Sequence, residues 1–398
     1  MMRRLLVALF ALALLATACG SDDDATATDT TVAADDTPAT TEAMEEEPAT
    51  TEAMEEEPAT TEAMEEEPVE FEDVGYLAVN NMAHLPAFLA SDFGLWADRG
   101  LNVDVQILGG GADIAAGLEA GQAEFGAVNA TTGVPPQRAG GLLTKLIAPY
   151  NSDALNASYV DWISIVGRVD RGLSTDPQSI VGKTVGVTGG GTPRAYLGGF
   201  LSANGLTEDD IEIVTMGAPD MLTAVVNGDV DAVIPWDPFR TSALRQLGEN
   251  GVDMTPNEAH TGSAIGIGAV DGQMEQRRDV FKAFIEGVVE ATYLIRQDPE
   301  GAAPVVLNYI QGVTEEDAIE AMKRNSYDPR ISICIRHAAE ATSAQLVEQG
   351  RFELDTPHTG DDLTDSSLLD EVLAENPEWI ADLPPLPENV EDCANYAG

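Results

Sequence analysis

The sequence predicts an α/β protein of two lobes, and three observations predict it. Short β-like runs alternate with helical patterns from Val74 to Val270, as in a mostly parallel sheet flanked by helices. The stretch after Pro68 is about 330 residues, more than one core normally fills. Within it, Asp113-Ile114 through Gly121-Gln122-Ala123-Glu124-Phe125 matches Asp220-Met221 through Gly228-Asp229-Val230-Asp231-Ala232 at a constant offset of 107. Upstream of the two copies stand Gly100-Leu101 and Gly205-Leu206. One βαβ unit used once per lobe leaves a cleft between lobes, and open α/β sheets bind ligands beyond the C-terminal ends of their strands.

Strands are expected at 74–79, 103–108, 124–128, 163–168, 184–188, 211–216, 232–235 and 264–270. Each is a short run rich in Val and Ile, bounded by polar or glycine residues. Helices are expected at 85–92, 112–120, 193–204, 219–227, 237–247 and 276–297. Gly100, Gly121, Gly205 and Gly228 stand where a left-handed C-terminal residue is wanted. Thr314-Glu315-Glu316-Asp317 opens a further helix with an acidic first turn.

The N-terminal segment has a different character. Arg3 and Arg4 precede an apolar run from Leu5 to Ala18, too short to span a bilayer, which reads as an export signal. Its end, Leu15-Ala16-Thr17-Ala18-Cys19, resembles a bacterial lipobox, in which Cys19 is diacylated and becomes the mature N-terminus. ATTEAMEEEP then occurs three times in tandem, at Ala39–Pro48, Ala49–Pro58 and Ala59–Pro68. So acidic a ten-residue repeat cannot bury a core and reads as a disordered spacer. As a flexible coil, the 49 residues from Gly20 to Pro68 would span about 40 Å.

Residues 1–68 carry a net charge of −16 and the remainder −33, which together make the chain's −49. Such a body excludes nucleic acid as a partner, because phosphates need Lys and Arg. With Cys19 lipidated, Cys334 and Cys393 remain as an even pair in an oxidising compartment and are a candidate disulfide. The four histidines, His84, His260, His337 and His358, have no metal-ligand spacing, and no metal or cofactor is expected.

Five stretches face the expected cleft. Asn80-Asn81-Met82-Ala83-His84-Leu85-Pro86 follows the first strand, and Asn80, Asn81 and His84 either contact a ligand or turn the chain and cap the next helix. Gly109-Gly110-Gly111 before Ala112-Asp113 allows close backbone approach at Gly110, although Asp113 can simply cap the helix. Asn129-Ala130-Thr131-Thr132 ends the strand of the first repeat copy, where Asn129 and Thr131 are candidate ligand donors. Thr188-Gly189-Gly190-Gly191-Thr192-Pro193-Arg194 turns a strand into a helix. Glycines up to Gly191, the Thr192 hydroxyl at the N-cap and Pro193 at the first helical position are expected to make an anion cradle with a helix dipole behind it. This loop has neither the GK[ST] ending of a phosphate loop nor GxGxxG spacing, so it suits a small acid group rather than a nucleotide. Arg194 adds charge if it faces the cleft. Last, Ala232-Val233-Ile234-Pro235-Trp236-Asp237-Pro238-Phe239 delivers Trp236 to cover a ligand face and Asp237 to accept from a ligand amine or cap the following helix.

GKTVGVTGGGT, GLTEDDIEIV and LTAVVNGDVDAVIPWDP resemble the sulfonate/nitrate/taurine-type substrate-binding proteins of ABC importers, a group that also includes binders of thiamine-pyrimidine precursors. FGLWADRGLNVDV agrees in the first lobe. The resemblance covers Val74 to about Val270, with Tyr327-Asp328-Pro329-Arg330 suggestive beyond it. It implies a type II periplasmic-binding-protein fold, each lobe a mixed sheet flanked by helices, joined by two segments crossing near Gly167–Leu173 and Thr261–Gly268. The organisation expected is a lipoprotein signal at 1–19, an acidic linker at 20–70, a first lobe of 71–168 plus 265–398, and a second lobe of 169–264. The function implied is capture of a small acid-bearing ligand and its delivery to permease transmembrane subunits, by a monomer lipid-anchored at the outer face of the bacterial cytoplasmic membrane. Alternatives are a neutral or cationic heterocycle held by Trp236, Asp237 and the Asn80-Asn81 amides, or a sensor that presents its closed lobes to a receptor. An enzyme is not expected: there is no GxSxG and no Cys/His dyad.

Overall fold

The alternating runs form two five-stranded sheets in the computed structural model, which describes residues 71–156, 160–256, 258, 260–348, 350, 354 and 356–394. Cys19, the export signal and the acidic repeats lie outside these residues. The first sheet uses β1 (Glu72–Val79), β2 (Leu101–Leu108), β3 (Phe125–Asn129), β4 (Thr144–Asn151) and β10 (Ile265–Val270) in the order β2-β1-β3-β10-β4. The second uses β5 (Val166–Arg168), β6 (Thr184–Val187), β7 (Glu212–Thr215), β8 (Ala232–Val233) and β9 (Gly251–Asp253) in the order β7-β6-β8-β5-β9. In both, the first three strands run parallel and the fourth is antiparallel to its neighbours.

The two sheets correspond strand for strand, and the internal repeat is the reason. Between the strands lie α1 (Leu85–Asp92), α2 (Gly111–Glu119) and α3 (Val134–Ala139) in one lobe, and α4 (Gly191–Ala203), α5 (Ala218–Asn227) and α6 (Phe239–Leu247) in the other. So β1-α1-β2-α2-β3 and β6-α4-β7-α5-β8 are the same unit twice, and β3 and β8 begin at Phe125 and Ala232, aligned residues of the repeat. Each copy closes its second helix in the same way; at α5, Gly228 holds φ +82°, which a side chain would strain.

The odd strand of each sheet comes from the other lobe. The chain leaves β4, crosses through residues 152–165 and enters the second sheet as β5; it returns through 254–264 to enter the first as β10. The sequence-based boundaries therefore shift. Val166–Arg168 belongs to the second sheet, not the first lobe, and Gly167–Leu173 lies beyond the crossing. Ile265–Gly268 is already strand, so only the start of the Thr261–Gly268 estimate is connection. β4 and β9 had no sequence signal: β4 contains Pro149, and β9 is three residues long.

After β10 come α7 (Gln273–Gln276), α8 (Arg278–Gln297), α9 (Pro299–Ala302), α10 (Glu315–Met322), α11 (Ile333–Glu348), α12 (Gly360–Leu363) and α13 (Ser367–Glu375); α7, α8, α12 and α13 pack on the first sheet, and α10 reaches α6 of the other lobe. α8 supplies the main apolar ridge: Phe284 stacks on Phe125 with ring centres 3.8 Å apart, and on Trp96 at 4.6 Å. The Trp96 indole N–H donates to the Phe284 carbonyl at 3.0 Å. α10 opens on the Thr314–Asp317 capping box. The C-terminal region folds back on this lobe. Cys334 and Cys393 are disulfide-bonded, with Cα atoms 5.7 Å apart. Arg296 pairs with Asp382 at 2.9 Å, and Arg330 pairs with Asp328 at 2.7 Å while donating to the Pro384 carbonyl. The Tyr327–Arg330 stretch is thus a brace for this region.

Candidate functional site

Elements of both lobes end on one cavity of about 470 Å³. Val79 closes β1, Val128 and Asn129 close β3, Thr188 follows β6, Trp236 follows β8, and all line the cavity. This is the edge where parallel strands place ligand-binding loops. Much of the wall is apolar, with Val79, Ile114, Ala115, Trp162, Trp236 and Ile265 among its residues.

Two helices start on this wall, one from each lobe. Gly110, Gly111 and Ala112 bring the N-terminus of α2, and Gly190, Gly191 and Thr192 bring that of α4. Neither helix has a side-chain cap, so first-turn N–H groups remain for a ligand and both dipoles favour negative charge there. Gly191 has φ +73°, a turn that glycine makes without strain. The Thr188 hydroxyl braces the loop by donating to the Gly190 carbonyl at 2.7 Å. Glu119 is the sole charged side chain lining the cavity among the described residues.

The lobes are hydrogen-bonded to each other across the cleft. Asn129 Nδ2 donates to Thr192 Oγ1 at 3.0 Å, and the Thr132 and Thr192 hydroxyls meet at 3.0 Å. The Trp236 indole N–H donates to the Asn80 carbonyl at 2.8 Å, and the Met82 N–H to the Asp237 carbonyl at 3.0 Å. This arrangement is closed.

The candidate residues divide. Asn81, His84, Gly110, Asn129, Gly191, Thr192 and Trp236 line the cavity. Asn81 also caps the turn after β1, its Oδ1 accepting from the Ala83 N–H at 2.8 Å. Asn129 is fully engaged: its Oδ1 accepts from Thr131 and Ala264 and its Nδ2 donates to Thr192 and Ser263, so it braces the site. Three expected contacts are elsewhere. Asn80 contributes its carbonyl to Trp236. Thr131 donates inward to the Gly262 carbonyl at 2.5 Å. Asp237 is fully buried and binds Arg324 at 2.8 Å and the Thr241 hydroxyl at 2.7 Å, so it serves the lobe contact and α6. Arg194, too, turns away and pairs with Glu208 at 2.5 Å.

His84 is buried at the wall. Its Nδ1 meets the Tyr150 hydroxyl at 2.5 Å, and that hydroxyl meets Tyr76 Oη at 2.6 Å. Burial pulls the imidazole pKa down to about 3, so the ring is neutral. The same burial raises both phenols, which keep their protons.

Trp162, 1% exposed, is a wall residue that the sequence did not point to. It sits in the first crossing, which only the pairing of β5 defines. Thr132 rather than its neighbour Thr131 reaches the cavity, a one-residue difference that a turn hides from a sequence pattern.

The profile of the NMT1/THI5-like family matches residues 81–302. The chain belongs to this family. The match holds β2–β10 and both glycine loops. No curated protein sequence matches the chain. Among solved structures, the alkanesulfonate-binding protein SsuA of Xanthomonas axonopodis pv. citri, bound to MOPS, aligns with a TM-score of 0.60 at 17% identity, covering 73% of this chain and 97% of that one. The periplasmic nitrate-binding protein NrtA of Synechocystis PCC 6803 aligns at 0.62 and 15% identity, covering 81% and 92%. The desulfurization enzyme DSZB aligns at 0.54 and 15% identity, covering 77% and 99%. At these identities the likeness is one of fold, and that fold is the type II periplasmic-binding-protein architecture.

Proposed function

We propose that this family member is an extracytoplasmic solute-binding lipoprotein that encloses a small organic monoanion, sulfonate-like in its acid group, and hands it to the transmembrane subunits of an ABC permease. One observation carries the reading: two uncapped helix N-termini, one from each lobe, converge on a single largely apolar cavity. An acid group seated there meets N–H donors and two dipoles, while its organic part meets Trp162 and Trp236. No Lys or Arg among the described residues lines the cavity, so a dianion would be poorly neutralised and a monoanion suits it better. The sulfonate- and nitrate-binding proteins of like fold bind such ions. A closed arrangement that joins both lobes is the form a permease could distinguish from the open one. Cys334 and Cys393 are disulfide-bonded away from the cavity, and with a pKa near 3 the His84 imidazole is too weak a base to activate a wall hydroxyl, which favours binding over catalysis.

Calorimetry with alkanesulfonates, nitrate, dicarboxylates and pyrimidines tests this. Monoanions should bind and dicarboxylates should not. Binding confined to uncharged or cationic compounds would sink the reading and favour a heterocycle stacked on the two tryptophans. For the anchor, Cys19→Ser protein should leave the membrane fraction; a variant retained as firmly as wild type with its signal removed would overturn lipid anchoring.

A further inference from the structure

The proton arrangement of the Tyr76–Tyr150–His84 chain is determined by counting. The chain has two contacts and, with a neutral imidazole, three protons. If Nδ1 carried the ring proton and donated to Tyr150, one phenol proton would be left without an acceptor. Either Tyr150 would donate to Tyr76, which has no second partner among the described residues, or Tyr150 would accept from both sides. Tyr76 and Tyr150 are fully buried, so an O–H left unpaired there forfeits its hydration with no return. One arrangement uses both contacts and orphans nothing inside: Tyr76 donates to Tyr150, Tyr150 donates to His84 Nδ1, and the ring proton resides on Nε2. His84 lines the cavity, and Nε2 has no protein partner among the described residues.

We propose that Tyr76 and Tyr150 act as a polarity relay that fixes His84 as an Nε2–H donor at the cavity wall, so that the bound solute must present an acceptor atom there. This rests on the ligand reading above for the nature of that atom, an oxyanion oxygen. Tyr150 is the positioning residue; His84 is the contact. A protonated histidine would also donate, but it would attract anions of any size by charge. A neutral one fixed by its neighbours selects by hydrogen-bond geometry and rejects a ligand that offers only a donor at that point.

The tautomer can be read on ligand-free protein labelled with ¹⁵N-histidine. Long-range ¹H–¹⁵N spectra separate protonated from unprotonated ring nitrogens, and His84→Gln assigns the signal. Wild type is expected to show one tautomer, Nε2–H, unchanged from pH 5.5 to 8. Tyr150→Phe, which removes the donor to Nδ1, is expected to give a mixture. An Nδ1–H ring in wild type, or a Tyr150→Phe protein still wholly Nε2–H, would overturn the relay. Thermal unfolding of each variant confirms that folded protein is compared. The contact is tested with propane-1-sulfonate. His84→Gln, whose amide N–H can occupy the Nε2 position, should bind within a few-fold of wild type, and His84→Leu should bind roughly ten- to a hundredfold more weakly. Equal binding by the Leu variant would overturn the donor role. If wild type binds no propane-1-sulfonate, the sulfonate reading fails, and the ligand-free tautomer then decides the relay by itself.

Discussion

Asn129 and Thr192 meet across the cleft, the amide of one lobe donating to the hydroxyl of the other at 3.0 Å. Thr132 adds its hydroxyl to the same oxygen from the same side as Asn129. The side chain at the mouth of the α4 cradle thus serves lobe closure. Its effect on affinity should be general, because closure accompanies the capture of any ligand.

Thr192→Val keeps the shape and removes both contacts. Each is worth about 0.5–1.5 kcal/mol, so affinity should fall on the order of tenfold for every ligand that binds, charged or not. Small-angle scattering should show a larger share of open protein. If only anions lose affinity, Thr192 touches the ligand itself and its closure role is wrong.

His84 should make stability fall with acidity. Its pKa is about 3 when folded, against about 6.5 when unfolded, so between those values the unfolded chain binds the extra proton. Stability is therefore full above pH 6.5 and declines as pH falls toward 3. Between pH 7.5 and 5.5 wild type should lose about 1 kcal/mol more than His84→Gln. Urea titrations at the two pH values give this difference, and equal losses would mean that the ring is solvated.

Asp237 and Arg324 form an ion pair with the carboxylate fully buried and the arginine partly open to solvent. Arg324 also donates to Thr241. Asp237→Ala removes the buried carboxylate and leaves the partly solvated Arg324 guanidinium to Glu320, at 3.5 Å, and to Thr241, so it should cost about 1–3 kcal/mol. Arg324→Leu added to it should cost less than the two single losses summed, since both changes break the same pair. Neither change should alter which class of ligand binds, because neither residue lines the cavity. A shift from anion to cation preference would contradict this.

The Cys334–Cys393 bond closes a separation of 59 residues, worth about 4 kcal/mol in the chain-entropy model. Reduction, or Cys393→Ser, should lower the unfolding midpoint and make residues 377–394 more sensitive to protease. Ligand affinity should change little, because neither cysteine lines the cavity. An unchanged midpoint would show that the ion pairs of Arg296 and Arg330 hold the region by themselves.

Much of this architecture was written locally. The 107-residue offset is a property of the chain read along its length, and a βαβ pattern used twice fits two similar units, each with its own apolar faces to bury. Gly191 was legible because the strand-to-helix turn there takes φ +73°, which a side chain would strain. Where the lobes divide was not legible. β5 and β10 are short runs whose membership depends on which sheet each pairs with, and such pairing is non-local.

The site shows the same division. Sequence determined which loops stand at the C-terminal strand ends, and hence that Asn81, His84, Thr192 and Trp236 share a wall. Tertiary structure alone decided what each side chain spends its hydrogen bonds on. It sent Asp237 to Arg324 and Arg194 to Glu208, gave Thr192 to Asn129, and placed Tyr150 against His84 from 66 residues away. Residue type fixes how many donors and acceptors a side chain has, but a partner is set by distances of about 3 Å between segments remote in sequence, and those exist only once the chain has folded.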